Sequence, residues 1–265
     1  MSRTLKLTLA YEGTAYVGWQ RQAEGVSIQG LIEDALTRLD GAPVTVHGAG
    51  RTDAGVHAFG QVASARVIMP REPQVIRRAL NAMLPGDVRV LEVDDAAPDF
   101  HARYSAAGKI YEYRIWQGDV QPPFARAWSW HLPRPLNVAE MDRAARMLEG
   151  RHDFSAFQSA GSAVRSAVRT VTSARVSVRE PGEDVWSGAG AGGQFVNVRI
   201  AADGFLRHMV RAVAGTLIEV GEARRDPESV AALIASGDRA ASGATAPAHG
   251  LVLVRVMYPT PPARA

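Results

Sequence analysis

The first hundred residues switch repeatedly between two hydrophobic periods, and this order constrains the fold more than any other feature of the chain. Leu5, Leu7, Leu9 and Tyr11 alternate with Lys6, Thr8 and Ala10, the two-residue period of a half-buried strand. A helical stripe of Leu31, Ile32, Ala35, Leu36 and Leu39 follows, with Ser27 placed to cap it and Gly41 and Pro43 to stop it. Short strands are predicted around 44–47 and 60–69. A second helix then starts at Pro73, with Val75, Ile76, Ala79, Leu80, Met83 and Leu84 on one face, and ends at Pro85-Gly86. A strand over 88–93 completes the order βαββαβ.

The second half repeats that order more loosely. Strands are predicted at 109–116, 174–180, 195–201 and 251–258. Helices are predicted at 138–149 (after Asn137), 204–220 and 228–236 (after Asp226-Pro227). The expected fold class is α+β, with two ferredoxin-like βαββαβ halves, antiparallel sheets and a central cleft between them. The expected division is 1–104, 105–258 and a tail over 259–265. Two long stretches, 117–136 and 151–171, lack periodicity. Phe124, Trp128 and Trp130 in the first argue for a loop docked on the protein surface.

Composition closes off several classes. There is no cysteine, hence no disulfide framework, thiolate zinc site or cysteine nucleophile. No apolar run approaches the ~20 residues of a membrane span, and Met1–Lys6 lead straight into the first strand, so no secretory segment is expected. A cytoplasmic protein fits this pattern. Net charge is only +3, but among 30 basic residues Lys6 and Lys109 are the lysines. The remaining arginines carry forked donors suited to phosphates, although a general bias toward Ala, Gly and Arg explains them as well. Arg165, Arg169, Arg175 and Arg179 form a strip without an acid, of the kind that follows a nucleic-acid backbone. Gly188–Gly193 match GxGxxG in form, but a strand and not a helix is predicted next, which fails the dinucleotide context.

The candidate chemistry lies in Gly50-Arg51-Thr52-Asp53-Ala54-Gly55-Val56-His57-Ala58, where one acid stands beside an arginine at the junction of two predicted strands. Flanking glycines allow such a carboxylate to be presented to a ligand, although a plain hairpin turn uses the same residues. In the predicted helix 204–220, Arg207 and Arg211 lie one turn apart on the face opposite Phe205, Met209, Val213 and Leu217. Gly215 there would let another backbone come close. Two solvated arginines on an amphipathic helix would look the same. Tyr111 alternates with Tyr113 and Ile115, which by itself describes a core aromatic.

The nine-residue string around Asp53 resembles the active-site motif of the tRNA pseudouridine synthase A (TruA) family, in which the Asp is catalytic. Phe205-Leu206-Arg207-His208-Met209-Val210-Arg211 resembles a second motif of that family, and the match gives Arg211 as the partner of Asp53. Lys109-Ile110-Tyr111-Glu112-Tyr113 resembles its K-x-Y-x-Y strand, which implies that Tyr111 packs against the target base. Ala246-Pro247-Ala248-His249-Gly250-Leu251 resembles the segment whose Leu lines the active site. Tyr11–Thr14, Gly18–Gln20 and Asp153–Phe157 match as well.

The resemblance implies a tRNA-uridine isomerase acting at positions 38, 39 and 40 of the anticodon stem-loop. It implies a tRNA substrate, a homodimer, RNA contact through Arg51, and no cofactor or metal. His57 is expected to be a structural hydrogen-bonding residue. The loop 181–194 and the scarcity of lysine depart from the pattern. Two rivals stay open: a non-catalytic RNA-binding module, and a cofactor-free hydrolase using Asp53 with His57.

Overall fold

The computed structural model describes residues 2–159, 166–179 and 192–259. The chain divides into two compact units. One takes the chain up to Lys109 and resumes at Leu253; the other runs Ile110–Val252.

The first unit follows the element order read from the sequence: β1 (Arg3–Tyr11), α1 (Ile28–Asp40), β2 (Val46–Gly48), β3 (His57–Val67), α2 (Pro73–Met83) and β4 (Val88–Ala96). β1 lies between β4 and β3, antiparallel to both, and β2 pairs antiparallel with β3. β1 occupies one edge of β3, so β2 and the last strand of the chain, β10 (Leu251–Met257), share the other. Leu5, Leu7 and Leu9 are wholly buried, as the alternation requires. The Ser27 side chain accepts a hydrogen bond from the Gly30 N–H, and Gly41 ends α1 with φ +75°, a conformation that glycine adopts without a Cβ clash. Pro73 opens α2, where its missing N–H costs nothing. Ile76, Leu80 and Leu84 are buried, but Met83 is exposed, because the chain leaves the helix there and turns Leu84 inward in its place.

The second unit contains β5 (Gly108–Gln117, which starts in the first unit), β6 (Trp130–Leu132), α3 (Val138–Arg146), β7 (Gly150–Asp153), β8 (Val168–Arg179), β9 (Gln194–Ala202), α4 (Met209–Gly221) and α5 (Ser229–Ser236). Its strands follow the order β5-β9-β8-β7. β7, β8 and β9 pair antiparallel, and β6 runs parallel to β5. Together the units make a mixed α+β protein with mostly antiparallel strand pairing and five α-helices among the described residues.

Two expectations need correction. The stretch 117–136 contains β6, a strand too short to register as a period, and 151–171 contains the rest of β7 and the start of β8. The helix expected over 204–220 begins only at Met209, because His208 takes φ +63° and breaks the helical path. The GxGxxG match and the loop 181–194 fall mainly outside the described residues, and Gly193 leads directly into the strand β9, as the rejection of the dinucleotide reading expects. No helix among the described residues is long and apolar enough to cross a membrane.

Candidate active site

Asp53 stands in the connection between β2 and β3. Its carbonyl accepts the Val56 N–H at 3.1 Å, closing a turn in which Gly55 takes φ +78°. Within this turn Thr52 is buried, Asp53 half-buried and Arg51 exposed. The carboxylate is thus displayed on a loop whose neighbouring residue is anchored in the core.

The anchoring comes from the segment just after β1. A Cβ on Gly13 would lie 2.1 Å from the Val56 carbonyl oxygen, and one on Gly18 would lie 2.6 Å from that of Thr52. Gly18 also takes φ +103°. Glycine lets the two backbones approach this closely, since a Cβ at either position would force the loop to move. The Trp19 N–H then donates to the Thr52 carbonyl at 3.0 Å, and the Trp19 indole packs on Gly48. These crossings give a physical reason for the motif residues Gly13, Gly18 and Trp19.

A buried polar network fastens the loop from the other side. The Tyr11 hydroxyl and Thr52 Oγ1 are 2.9 Å apart, and Gln61 Nε2 donates to the Gly50 carbonyl at 2.9 Å and to Tyr11 Oη at 3.4 Å. Burial pushes the Tyr11 pKa up to about 12, against the lowering effect of its two hydrogen bonds, so the phenol stays neutral. His57 is buried, and its Nδ1 accepts the Gly13 N–H at 3.0 Å. A nitrogen that accepts has no proton to give, so the Glu12 carboxylate 3.4 Å away is not hydrogen-bonded to it. His57 therefore holds Gly13 in place, as its structural reading expects. The Lys109 stem reaches the same loop: a Cβ on Gly50 would lie 3.1 Å from Lys109 Cε.

The second unit presents the remaining sequence-derived residues. Tyr111 on β5 is buried, and Phe205 stands against it edge to face, with centroids 5.0 Å apart at 78°. Arg207 is exposed and precedes α4, so it is not one helical turn from Arg211 as the sequence suggested. Arg211 and Glu219 are the residues of α4 that reach partial exposure; every other one is buried. Arg211 Nε donates to the Ala246 carbonyl at 2.7 Å, and the Ala246 N–H returns a bond to the Arg211 carbonyl at 3.1 Å. A Cβ on Gly215 would lie 1.8 Å from the Ala244 carbonyl oxygen, the close backbone approach expected of this glycine.

The Ala246–Leu251 segment is held from β5 as well. The Tyr113 hydroxyl donates to the Pro247 carbonyl at 2.8 Å, and Gly250 packs on the Tyr113 ring. Burial raises the Tyr113 pKa, which the Arg211 charge opposes. His249 is shifted the other way, downward, by burial and then by the Arg211 charge, against a hydrogen bond with the Ser129 backbone. Leu251 is buried at the start of β10.

The basic strip is less open than its sequence implies. Arg165 lies outside the described residues, Arg175 pairs with Glu149, and Arg169 Nη1 donates to the carbonyls of Ser166 and Val168. Among the described residues no group of three or more His, Asp or Glu side chains is placed to hold a metal ion. Sequence reasoning missed Gln61 and Lys109. A glutamine in strand alternation with Ala63 and Ala65 was the available signal for the first, and the Lys of the K-x-Y-x-Y match, to which no role was given, for the second.

The sequence matches the tRNA pseudouridine synthase family over residues 8–105 and 144–259. It is 48% identical over 260 residues to a tRNA pseudouridine synthase A of Moorella thermoacetica, covering 96% of this chain and 99% of that one. It is 47% identical to that of Myxococcus xanthus, covering 98% and 94%, and 44% identical to that of Syntrophotalea carbinolica, covering 96% of each. The chain belongs to the tRNA pseudouridine synthase A (TruA) family and is an isomerase of that class.

Proposed function

We propose that the protein converts uridine to pseudouridine at positions 38, 39 and 40 of the tRNA anticodon stem-loop, with Asp53 as the catalytic residue. The observation that carries this reading is a half-buried carboxylate on a loop fixed by two glycine crossings and a buried hydrogen-bond network. The reaction breaks the N1–C1′ bond, turns the uracil and joins C1′ to C5. The C5 proton leaves and N1 regains one, so nothing is oxidised and no cofactor is required. An ionised carboxylate beside the ribose serves either opening step, attack on a sugar carbon or removal of a sugar proton. Fixing its backbone lowers the cost of reaching the reactive geometry.

In the same reading Tyr111 packs against the flipped uracil, offsetting the stacking lost when the base leaves the helix. As the family motifs imply, Arg211 is the partner of Asp53, Arg51 contacts the RNA, and Leu251 lines the base site. Recognition of three neighbouring positions rests on RNA shape and backbone more than on base identity. The working form is a cytoplasmic homodimer. Both halves are ferredoxin-like, a view supported in the first by its element order and its strand order β4-β1-β3-β2.

The test is tritium release from C5-tritiated uridine in unmodified tRNA transcripts. Wild type is expected to release tritium, and Asp53→Asn to lose at least about a hundredfold in rate, the lower range for removal of a proton-transfer group. No release by wild type on several tRNAs with uridine at 38–40 would leave an RNA-binding module. Free uracil in solution would point to the hydrolase instead.

A further inference from the structure

The first unit carries an aromatic cluster that the reaction does not use. His47, exposed on β2, stacks on His101 with centroids 4.9 Å apart at 27°. His101 in turn meets Tyr104, centroids 4.4 Å apart at 35°. Tyr104 is 78% exposed, the largest such value among the exposed large hydrophobic side chains described. The Arg103 guanidinium lies 5.8 Å from the centre of its ring.

An exposed tyrosine on a loose loop would mean little, but this loop is tied down at every step. The His101 N–H donates to Ser105 Oγ at 3.1 Å, and the Ser105 N–H donates to the His101 carbonyl at 2.9 Å. His101 Nδ1 accepts the Arg103 N–H at 3.1 Å. Ala102, fully buried, donates its N–H to Ser64 Oγ at 3.0 Å and accepts the Tyr258 hydroxyl at 2.7 Å. Ser64 is the direct strand partner of His47, so both ends of the cluster rest on the same two strands.

The surroundings are basic. Lys6 and Arg66 share the sheet face of Ser64, by direct pairing and by two-residue spacing respectively. The Arg103 N–H in His101 Nδ1 and the burial of the ring both disfavour a charge on His101, whose pKa is lowered by burial first and by His47 second. A fixed row of rings beside Arg103, Arg66 and Lys6, the last paired with Asp94 at 4.0 Å, is a stacking surface for a planar ligand that carries negative charge.

We propose that His47, His101 and Tyr104 form a stacking platform for an unpaired RNA base outside the reaction site, with Arg103 beside it for the adjoining phosphate. The proposal rests on the tRNA substrate assigned above and adds a second contact to it. β2 runs from His47 into the Asp53 loop. Six residues of extended chain span at most about 20 Å, so a single RNA strand with its uridine at Asp53 has neighbouring nucleotides within reach. One base on one exposed ring is the unit of sequence-tolerant recognition.

The experiment is tRNA affinity, measured by fluorescence anisotropy at 50 and 200 mM salt, for wild type, Tyr104→Ala, Tyr104→Trp and His47→Ala. Circular dichroism and size exclusion check fold and oligomeric state. Tyr104→Ala is expected to weaken binding about tenfold, within the range for loss of one base–aromatic stack. Tyr104→Trp should restore it to within about twofold, since any aromatic face serves. His47→Ala should fall between. The ratio between wild type and Tyr104→Ala should hold at both salt concentrations, because stacking releases no counterions. Unchanged affinity in folded Tyr104→Ala, or a tryptophan no better than alanine, would overturn the platform. So would a change in oligomeric state without loss of RNA affinity, which would make the cluster a contact between copies. Tritium release by wild type is read separately, so a failure of the isomerase reading is distinguishable from a failure of the platform.

Discussion

The backbone around Asp53 is held by other backbone crossing beneath it, whereas the backbone around Arg211 is held by the burial of an entire helix. In the first unit, Gly13 and Gly18 bring the chain after β1 against Val56 and Thr52, and Tyr11, Thr52 and Gln61 close a hydrogen-bond network on the same loop. In the second unit, α4 buries nearly all its residues, and the Ala244–Ala246 backbone lies along it through Gly215 and Arg211. Both devices fix a charged side chain by fixing its main chain. They differ in what else depends on them. The glycine crossings serve a loop, while α4 is part of the core of its unit.

That difference is broken open most directly by adding a methyl group on each side. Gly215→Ala drives a Cβ to 1.8 Å from a carbonyl oxygen inside the core, so the second unit should lose its native packing. Overpacking of this kind costs about 3 kcal/mol or more, readable as a lowered midpoint in urea. Gly13→Ala has a comparable collision, 2.1 Å from the Val56 carbonyl, but a loop can shift where a core helix cannot. Its expected stability loss is smaller, about 1–2 kcal/mol, while its tritium-release rate should drop about a hundredfold, the cost of displacing a reacting group by roughly 1 Å. Equal stability losses with equal activity would show that the two devices are the same.

The sequence made the Asp53 loop legible because its constraints are local. Glycines, an acid and an arginine sit within nine residues, and the flanking strands have clear periods. The βαββαβ order of the first unit was legible for the same reason. The start of α4 was not, because Phe205, Leu206 and Met209 fit a helical stripe equally well whether or not the chain is helical there. What decides it is the positive φ at His208, which the stripe does not encode. β6 escaped notice because a three-residue strand has no period, and its parallel pairing with β5 is a long-range property. Gln61 showed only as a polar residue in an apolar alternation. Its partner Tyr11 is far away in sequence and adjacent only after β1 and β3 pair, and Gly50 comes within reach only when β2 folds back on β3.

Alkaline pH tests the network that distinguishes the first unit. The Tyr11 pKa rises from 10.0 to about 12 on folding, chiefly by burial. A folded state that binds the phenolic proton more tightly is stabilised by it fully below pH 10, and loses that contribution as pH rises from 10 through 12. Two pKa units correspond to about 2–3 kcal/mol. Urea midpoints at pH 8 and pH 11 should therefore differ markedly in wild type and less in Tyr11→Phe. At pH 8 the same substitution should cost only about 1 kcal/mol, the net value of a neutral hydrogen bond. Tyr113 in the second unit is also raised by burial, so Tyr113→Phe should flatten the slope too. A slope unchanged by Tyr11→Phe would remove the phenol from the account of how the Asp53 loop is held.

The smallest effect separates backbone strain from collision. Gly18 and Gly41 both take positive φ, +103° and +75°, yet a Cβ on Gly18 meets the Thr52 carbonyl at 2.6 Å while one on Gly41 meets nothing within 4 Å. Gly41→Ala therefore reports strain alone, about 1 kcal/mol for an L-residue in the left-handed region. Because Gly41 caps α1 and touches no part of the Asp53 loop, its tritium-release rate should match wild type. Gly18→Ala carries positive-φ strain of its own plus the collision, so a loss of tritium-release rate that Gly41→Ala does not show reports the crossing. If the two variants behave alike, positive φ alone explains Gly18, and the close approach to Thr52 has no separate part in placing Asp53.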